Sequence, residues 1–203
     1  KTIELVGNEI IVEKKAFYKC TSIQNLKFEK SKKIILKNNV FDSCTGLETI
    51  NISAETEFEA GDSSFIGATK LQTVQIKSQK VTINQSCFKN CSSMISFTIP
   101  QSEATLLLSY AFENCRVLKI VDVISTNSFK AEEFCFDKTF NLDTVKFDSK
   151  NITIYTRCFE KCSSLKKVIC PSSETIKCFL NSFNKSSYNS YLIYKPGTNI
   201  QSY

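Results

Sequence analysis

The 203-residue sequence contains no histidine and no tryptophan. Without His, the usual general base at neutral pH and the commonest metal ligand are both missing, which weighs against hydrolase chemistry. No convergent acid, nucleophile and oxyanion motif is present either, so the sequence predicts no catalytic residue, no metal site and no other cofactor. No apolar run approaches the ~20 residues that a membrane helix needs. A signal-peptide pattern is also missing, and the chain begins at Lys1 rather than Met, so it reads as a mature product or an excised fragment.

What is present points to an ordered chain. Hydrophobic residues make up 42% and charged residues 23%, which excludes a disordered composition. The net charge of +6 is mild, and its one local cluster is Lys27, Lys30, Lys32, Lys33 and Lys37. Neither Gly-rich spacing nor interleaved aromatics accompanies these lysines, so they read as a solvated segment and predict no nucleic-acid partner.

The main signal is an internal repeat. Phe17, Phe41, Phe65, Phe88, Phe112, Phe136, Phe159 and Phe183 recur at spacings of 24, 24, 23, 24, 24, 23 and 24 residues. Such a period marks a solenoid, because one repeat cannot bury its apolar face alone and stacking supplies the core. Small or moderate residues precede each Phe, as at Ala16, Ser64 and Cys135. Three residues after it stand Cys20, Cys44, Ala68, Cys91, Cys115, Thr139, Cys162 and Ser186. Six after it come Ile23, Leu47, Leu71, Met94, Leu118, Leu142 and Leu165, with Asn189 breaking the series. Positions 0, +3 and +6 share one side of a helical or 3₁₀ turn, so this segment predicts a short helical corner.

Alternating pairs follow and precede each corner. Val121 and Val123, or Val145 and Phe147, predict a half-buried strand after it. Ile34 and Leu36, or Ile152 and Ile154, predict a shorter strand before the next Phe, reached through a loop. The fold class is therefore a mainly β solenoid of about eight 23–24-residue turns, one unit over residues 1–203. Ile3 and Leu5 fit the strand of a preceding repeat, and Ile200 the start of a following one, while Ser186, Asn189, Tyr188, Tyr191 and Tyr194 depart from the pattern. The chain thus reads as a slice of a longer array, cut at its N-terminal side and near a natural end at its C-terminal side.

The phrase Ala-Phe-x-x-Cys-x-x-Leu-x-x-Ile-x-Ile, with Pro100 and Pro171 after the last strand residue, resembles the BspA-type leucine-rich repeat over about residues 3 to 195. The resemblance implies a right-handed leucine-rich-repeat solenoid whose longer strand lines the concave side. It implies surface proteins of bacteria and protozoan parasites that adhere to host cells or matrix, or intracellular protein-interaction scaffolds. It carries no catalytic motif. The sequence departs from the pattern in having Pro in only two repeats, and in Ala68 and Thr139 at the Cys column.

Ten cysteines invite a disulfide framework, but their positions argue otherwise. Five occupy the +3 column, and Cys87, Cys135 and Cys158 the column before the Phe. Both columns accept Ala or Ser, so they read as small buried side chains, with Cys115 a spacer. Stacked repeats place equivalent Cα atoms ~5 Å apart, within disulfide range, yet the side chains point in parallel. Cys20–Cys44 and Cys91–Cys115 are the candidate bridges. Cys87-x3-Cys91 and Cys158-x3-Cys162 resemble half metal sites, three repeats apart and too distant to share one ion.

Asn51, Asn84, Asn90, Asn151 and Asn184 begin Asn-x-Ser/Thr sequons, few enough to arise largely by chance. Outward positions of the long strands are mostly polar. Ile120, Ile124 and Ile169 are exceptions, and exposed aliphatics on a sheet anchor partners. With Asp122 and Lys146 beside them, they form the candidate partner-binding set. The expected function is a non-enzymatic interaction or adhesion module binding a protein ligand. Its place is the cell surface or outside the cell, with a cytoplasmic or nuclear scaffold as the alternative.

Overall fold

The computed structural model describes residues 1–186 and 191–203. Thirteen parallel strands form one continuous sheet, with no helix among the described residues. In chain order these are β1 (Thr2–Val6), β2 (Glu9–Val12), β3 (Asn25–Leu36), β4 (Thr49–Ala60), β5 (Thr73–Lys77), β6 (Lys80–Ile83) and β7 (Ser96–Leu107). They continue as β8 (Ile120–Ala131), β9 (Thr144–Ile154), β10 (Lys167–Cys170), β11 (Thr175–Cys178), β12 (Tyr191–Tyr194) and β13 (Asn199–Ser202). Long strands stack in the order β1-β3-β4-β5-β7-β8-β9-β10-β12, each on the equivalent strand of the next coil.

The apolar columns face inward as their alternation predicts. Leu26, Phe28, Ile50, Ile52, Val121, Val123, Val145 and Phe147 are all buried, as are Ile34, Leu36, Ile152 and Ile154 of the short strand. All eight repeat phenylalanines stack, from Phe17–Phe41 at 5.0 Å between ring centroids to Phe159–Phe183 at 5.3 Å. Their rings lie nearly parallel, within 2–16° of one another. Such offset stacks add to the area each ring buries.

Two local features differ from the sequence expectation. No loop separates the long and short strands in five coils: β3, β4, β7, β8 and β9 each run through the bend as one strand of 11 or 12 residues. Their pairing slips at the bend, for instance between Ile99 and Ser102. Around it β1/β2, β5/β6, β10/β11 and β12/β13 are separate segments.

The corner is a series of turns rather than a helix. Around Phe112, turns are closed by Ala111 N–H to Leu108 O (3.2 Å), Cys115 N–H to Phe112 O (3.2 Å) and Leu118 N–H to Cys115 O (3.1 Å). That three-residue rhythm is what imitates a helix in the sequence. The alternate N–H groups leave the coil: Tyr110 donates to Glu133 O, Phe112 to Cys135 O and Asn114 to Asp137 O, at 3.2, 2.8 and 2.9 Å. Left-handed backbone makes this possible, at φ 62° in Tyr110 and 64° in Asn114. Positive φ recurs two residues before and two after every repeat Phe, with Gly67 the sole glycine in either column. A helix would consume these donors internally and leave neighbouring coils unbonded at the corner. The expected break at Asn189, and Tyr188 with it, lie outside the described residues.

Candidate functional site

Period-two alternation turns every second residue of the long strands outward. From β4 to β7 this outer face is an uncharged band of Thr49, Asn51, Ser53, Thr73, Gln75, Ser96 and Thr98, with exposed Lys77 at its edge. On its N-terminal side, Lys27 pairs with Glu4 (3.6 Å) and Glu29 (3.2 Å), and Lys33 pairs with Glu57 (2.7 Å). Part of the lysine cluster is thus neutralised within the fold.

On the C-terminal side lie the candidate binding residues. Asp122, Lys146 and Ile169 stand in one cross-strand row over β8, β9 and β10. Ile120 and Ile124 flank that row on β8, opposite Thr144 and Asp148. Ile120 is 52% exposed, whereas Ile124 and Ile169 are half-buried. Lys146 reaches Asp148 at 4.0 Å, and Asp122 Oδ1 is buried without a hydrogen-bond partner. Beside Ile120 stands Ile95, 44% exposed, whose carbonyl accepts from Lys119 N–H and Ile120 N–H. The sequence reasoning missed Ile95, although it interrupts a polar column of Gln24, Glu48, Gln72, Lys119 and Asp143.

The corner face is held by charge. Glu113 bridges Lys89 (2.7 Å) and Lys138 (2.8 Å), and Lys138 also meets Asp137 at 3.1 Å. Burial works to raise the Glu113 pKa, but the two ammonium groups outweigh it and hold the carboxyl below its usual range. The Tyr110 and Phe134 rings stack at 5.1 Å, with Lys89 over one and Arg157 over the other. These charges are largely spent on each other.

The cysteines are all free thiols, eight of them buried and Cys20 and Cys178 partly so. Their +3 column does more than fill space. Cys44, Cys91, Cys115 and Cys162 each donate a thiol to the Phe carbonyl of the preceding coil, at 3.1–3.3 Å. Ser186 does the same to Phe159 O at 2.6 Å. Cys115 is thus a small buried side chain that also donates, although Ala68 fills the same column without a donor. Burial pushes the Cys44 thiol up to about 11 and Cys170 up to about 12, so neither supplies a thiolate near neutrality.

At the bend, a serine column runs along the molecule that the sequence reasoning also missed. Ser31, Ser78, Ser102, Ser125, Ser149 and Ser173 are all buried, with Ala54 in the remaining position. Ser102 Oγ lies 2.9 Å from Thr105 Oγ1 and 2.7 Å from Ser125 Oγ, and donates to Ile124 O at 2.9 Å. This cluster explains Thr105, a polar residue in an apolar column. Ser78 and Ser173 hydroxyls have no hydrogen-bond partner among the described residues. Over Ser78 the bend opens into a notch of about 510 Å³.

Among the described residues, no three His, Cys, Asp or Glu side chains converge as a metal site would require. No helix is long and apolar enough to cross a membrane. The arrangement offers a largely polar sheet face with exposed aliphatics at Ile95, Ile120 and Ile193, which is suited to binding.

The search of curated proteins finds no match. A leucine-rich repeat protein from Bacteroides ovatus ATCC 8483 aligns with 93% of this chain and 66% of its own, at 18% identity and a TM-score of 0.42. A leucine rich cell surface protein from Faecalibacterium prausnitzii A2-165 aligns with 96% of this chain and 79% of its own, at 15% identity and a TM-score of 0.33. This chain thus spans just under two-thirds of the Bacteroides ovatus protein. The profile of the BspA type leucine rich repeat region, in six copies, matches residues 1–119 and 81–203. With the Phe ladder and the parallel solenoid already described, that match places the chain in the BspA-type leucine-rich repeat family.

Proposed function

We propose that the chain is a non-enzymatic module of a cell-surface adhesion protein, binding a host or matrix protein through the outer face of its long strands. One observation carries the reading. Ile120 is a large aliphatic held 52% exposed on a stacked parallel sheet, next to the Asp122–Lys146–Ile169 row. Nine long strands give that face a length of about 40 Å, enough for an extended protein contact. Exposed aliphatics beside charged neighbours are the usual composition of an interface anchor and its rim.

The test is adhesion of purified protein to intact cells and matrix-coated surfaces. Ile120→Ser with Ile124→Ser should weaken binding about tenfold while the circular dichroism spectrum is preserved. Unchanged binding by the double variant overturns the assignment of this face.

A second reading, an intracellular scaffold, is favoured by ten unbridged cysteines, which are normal in a reducing compartment. Surface biotinylation of intact cells separates the two: labelling supports the adhesion module, and protection supports the scaffold.

A further inference from the structure

We propose that the notch at the bend of the Phe65 coil binds a short neutral saccharide, a role beyond the protein contact assigned to the sheet.

The notch has a definite origin in the sequence. From Ile76 to Val81 the Phe65 coil advances 5 residues, whereas Ile52 to Phe58 and Ile99 to Thr105 in its neighbours advance 6. This bend is one residue shorter than those on either side, and here β5 ends at Lys77 and β6 begins at Lys80. On either side, β4 and β7 run through the bend unbroken. Pairing of β5 with β7 stops at Gln75↔Thr98, and β6 resumes it only at Lys80↔Ala104. The flanking coils therefore stand over a recess of about 510 Å³, within the size range of small-ligand sites.

Its lining is built for hydrogen bonding, and apart from Ser102 most of it is not used by the fold. Ser78 Oγ is buried, 3% exposed for the residue as a whole, and has no hydrogen-bond partner among the described residues. The equivalent Ser102 hydroxyl, one coil on, has three. Around Ser78 stand Gln79, Gln101, Lys77, Glu55 and Glu103, whose side chains have no hydrogen bond or ion pair among the described residues. A buried hydroxyl without a partner costs about 1–3 kcal/mol, and a ligand hydroxyl removes that cost.

The chemistry of the lining selects the ligand class. Two carboxylates repel a phosphate or sulfate, and the Lys77 ammonium opposes a small cation. No aromatic or long aliphatic side chain lines the recess, so an acyl chain or aromatic ring gains little there. Hydroxyl, amide, carboxylate and ammonium groups together supply donors and acceptors in mixed order. A sugar presents the complement, because each of its hydroxyls donates once and accepts twice.

The experiment is a ¹H–¹⁵N titration of the full chain with maltose, cellobiose, lactose and N,N′-diacetylchitobiose, with glycerol as control. At least one disaccharide should produce saturable shifts at the Ser78, Gln79 and Gln101 amides, with millimolar affinity. Gln101→Ala combined with Glu103→Gln, both exposed positions, should weaken that affinity about tenfold. Inserting one serine after Ser78, which restores the coil length, should abolish it. The double variant decides the matter alone if the insertion disturbs the fold. Absence of saturable shifts with all four sugars overturns the proposal. So do equal shifts with glycerol, or an affinity that survives the double variant. Adhesion through Ile120 is unaffected by any of these outcomes, so the two assignments fail separately.

Discussion

The Cys115 thiol donates to the Phe88 carbonyl oxygen one coil back, at 3.1 Å, in a site with no exposure to solvent. That carbonyl also accepts from Cys91 N–H at 3.2 Å, so the thiol supplies its second bond. Cys44, Cys91, Cys162 and Ser186 make the same contact, Thr139 bonds Phe136 O in its own coil, and Ala68 fills the column without a donor. A purely steric requirement would favour alanine over serine, because an unpaired buried hydroxyl is costly. A donor requirement favours serine. Cys115→Ser is therefore expected to be the more stable variant, with Cys115→Ala costing about 1–2 kcal/mol relative to the wild type. Urea denaturation ranks the two, and alanine above serine would refute the donor role.

The left-handed columns give a second expectation. Ser86 has φ 55°, where an L-residue is disfavoured by about 1–2 kcal/mol, and no hydrogen bond involving its side chain compensates. Ser86→Gly removes that penalty at the expense of a more flexible unfolded chain, for a net gain of about 0.5–1 kcal/mol. Ser86→Val should instead destabilise, since a β-branched residue fits this region worst. Both effects are read as shifts of the urea midpoint at constant slope. Tyr110 and Phe134 occupy the same column, but glycine there would forfeit their stacked rings.

Glu113 ties three successive coils together through Lys89 and Lys138. Its folded carboxyl titrates below the ordinary value of 4.5, so its contribution is fully present above that pH. It is lost as the pH falls through the lower, folded value. Glu113→Gln should reduce stability at pH 7 by on the order of 1 kcal/mol, since both lysines are partly solvated. The wild-type and variant curves should converge in acid. Parallel curves from pH 7 to pH 3 would show that the bridge contributes nothing.

The inward half of the structure was legible in the sequence, and for a physical reason. Phe88, Phe112, Val121 and Val123 sit in columns whose only demand is apolar volume, and that demand leaves a strict residue signature. The corner misled because turns closed every three residues put Phe112, Cys115 and Leu118 on one side, as a helix would. What distinguishes the two is backbone handedness at Tyr110 and Asn114. The same two columns hold Lys, Asn, Ser, Gly, Arg and Phe elsewhere, so no common side chain announces it.

The serine column was hidden by counting. Ser78 follows Phe65 by 13 residues and Ser102 follows Phe88 by 14, because coils lengthen and shorten at the bend. A register anchored on Phe therefore blurs where the notch lies. On the outer face, Ile120 was identified from its contrast with polar neighbours, and Ile95 offered the same contrast one column earlier. Half-burial of Ile124 and Ile169 is set by neighbouring strands, which a single strand's pattern does not reveal.

Stacked phenylalanines joined by in-register hydrogen bonds behave mechanically as springs in series. Each coil touches only its neighbours, so a slight change of twist at one interface adds to the next. Over eight coils the increments sum to a large displacement between the ends, while no single interface moves far. The long-strand face can therefore change its curvature to follow a partner's surface without breaking a hydrogen bond or uncovering the core.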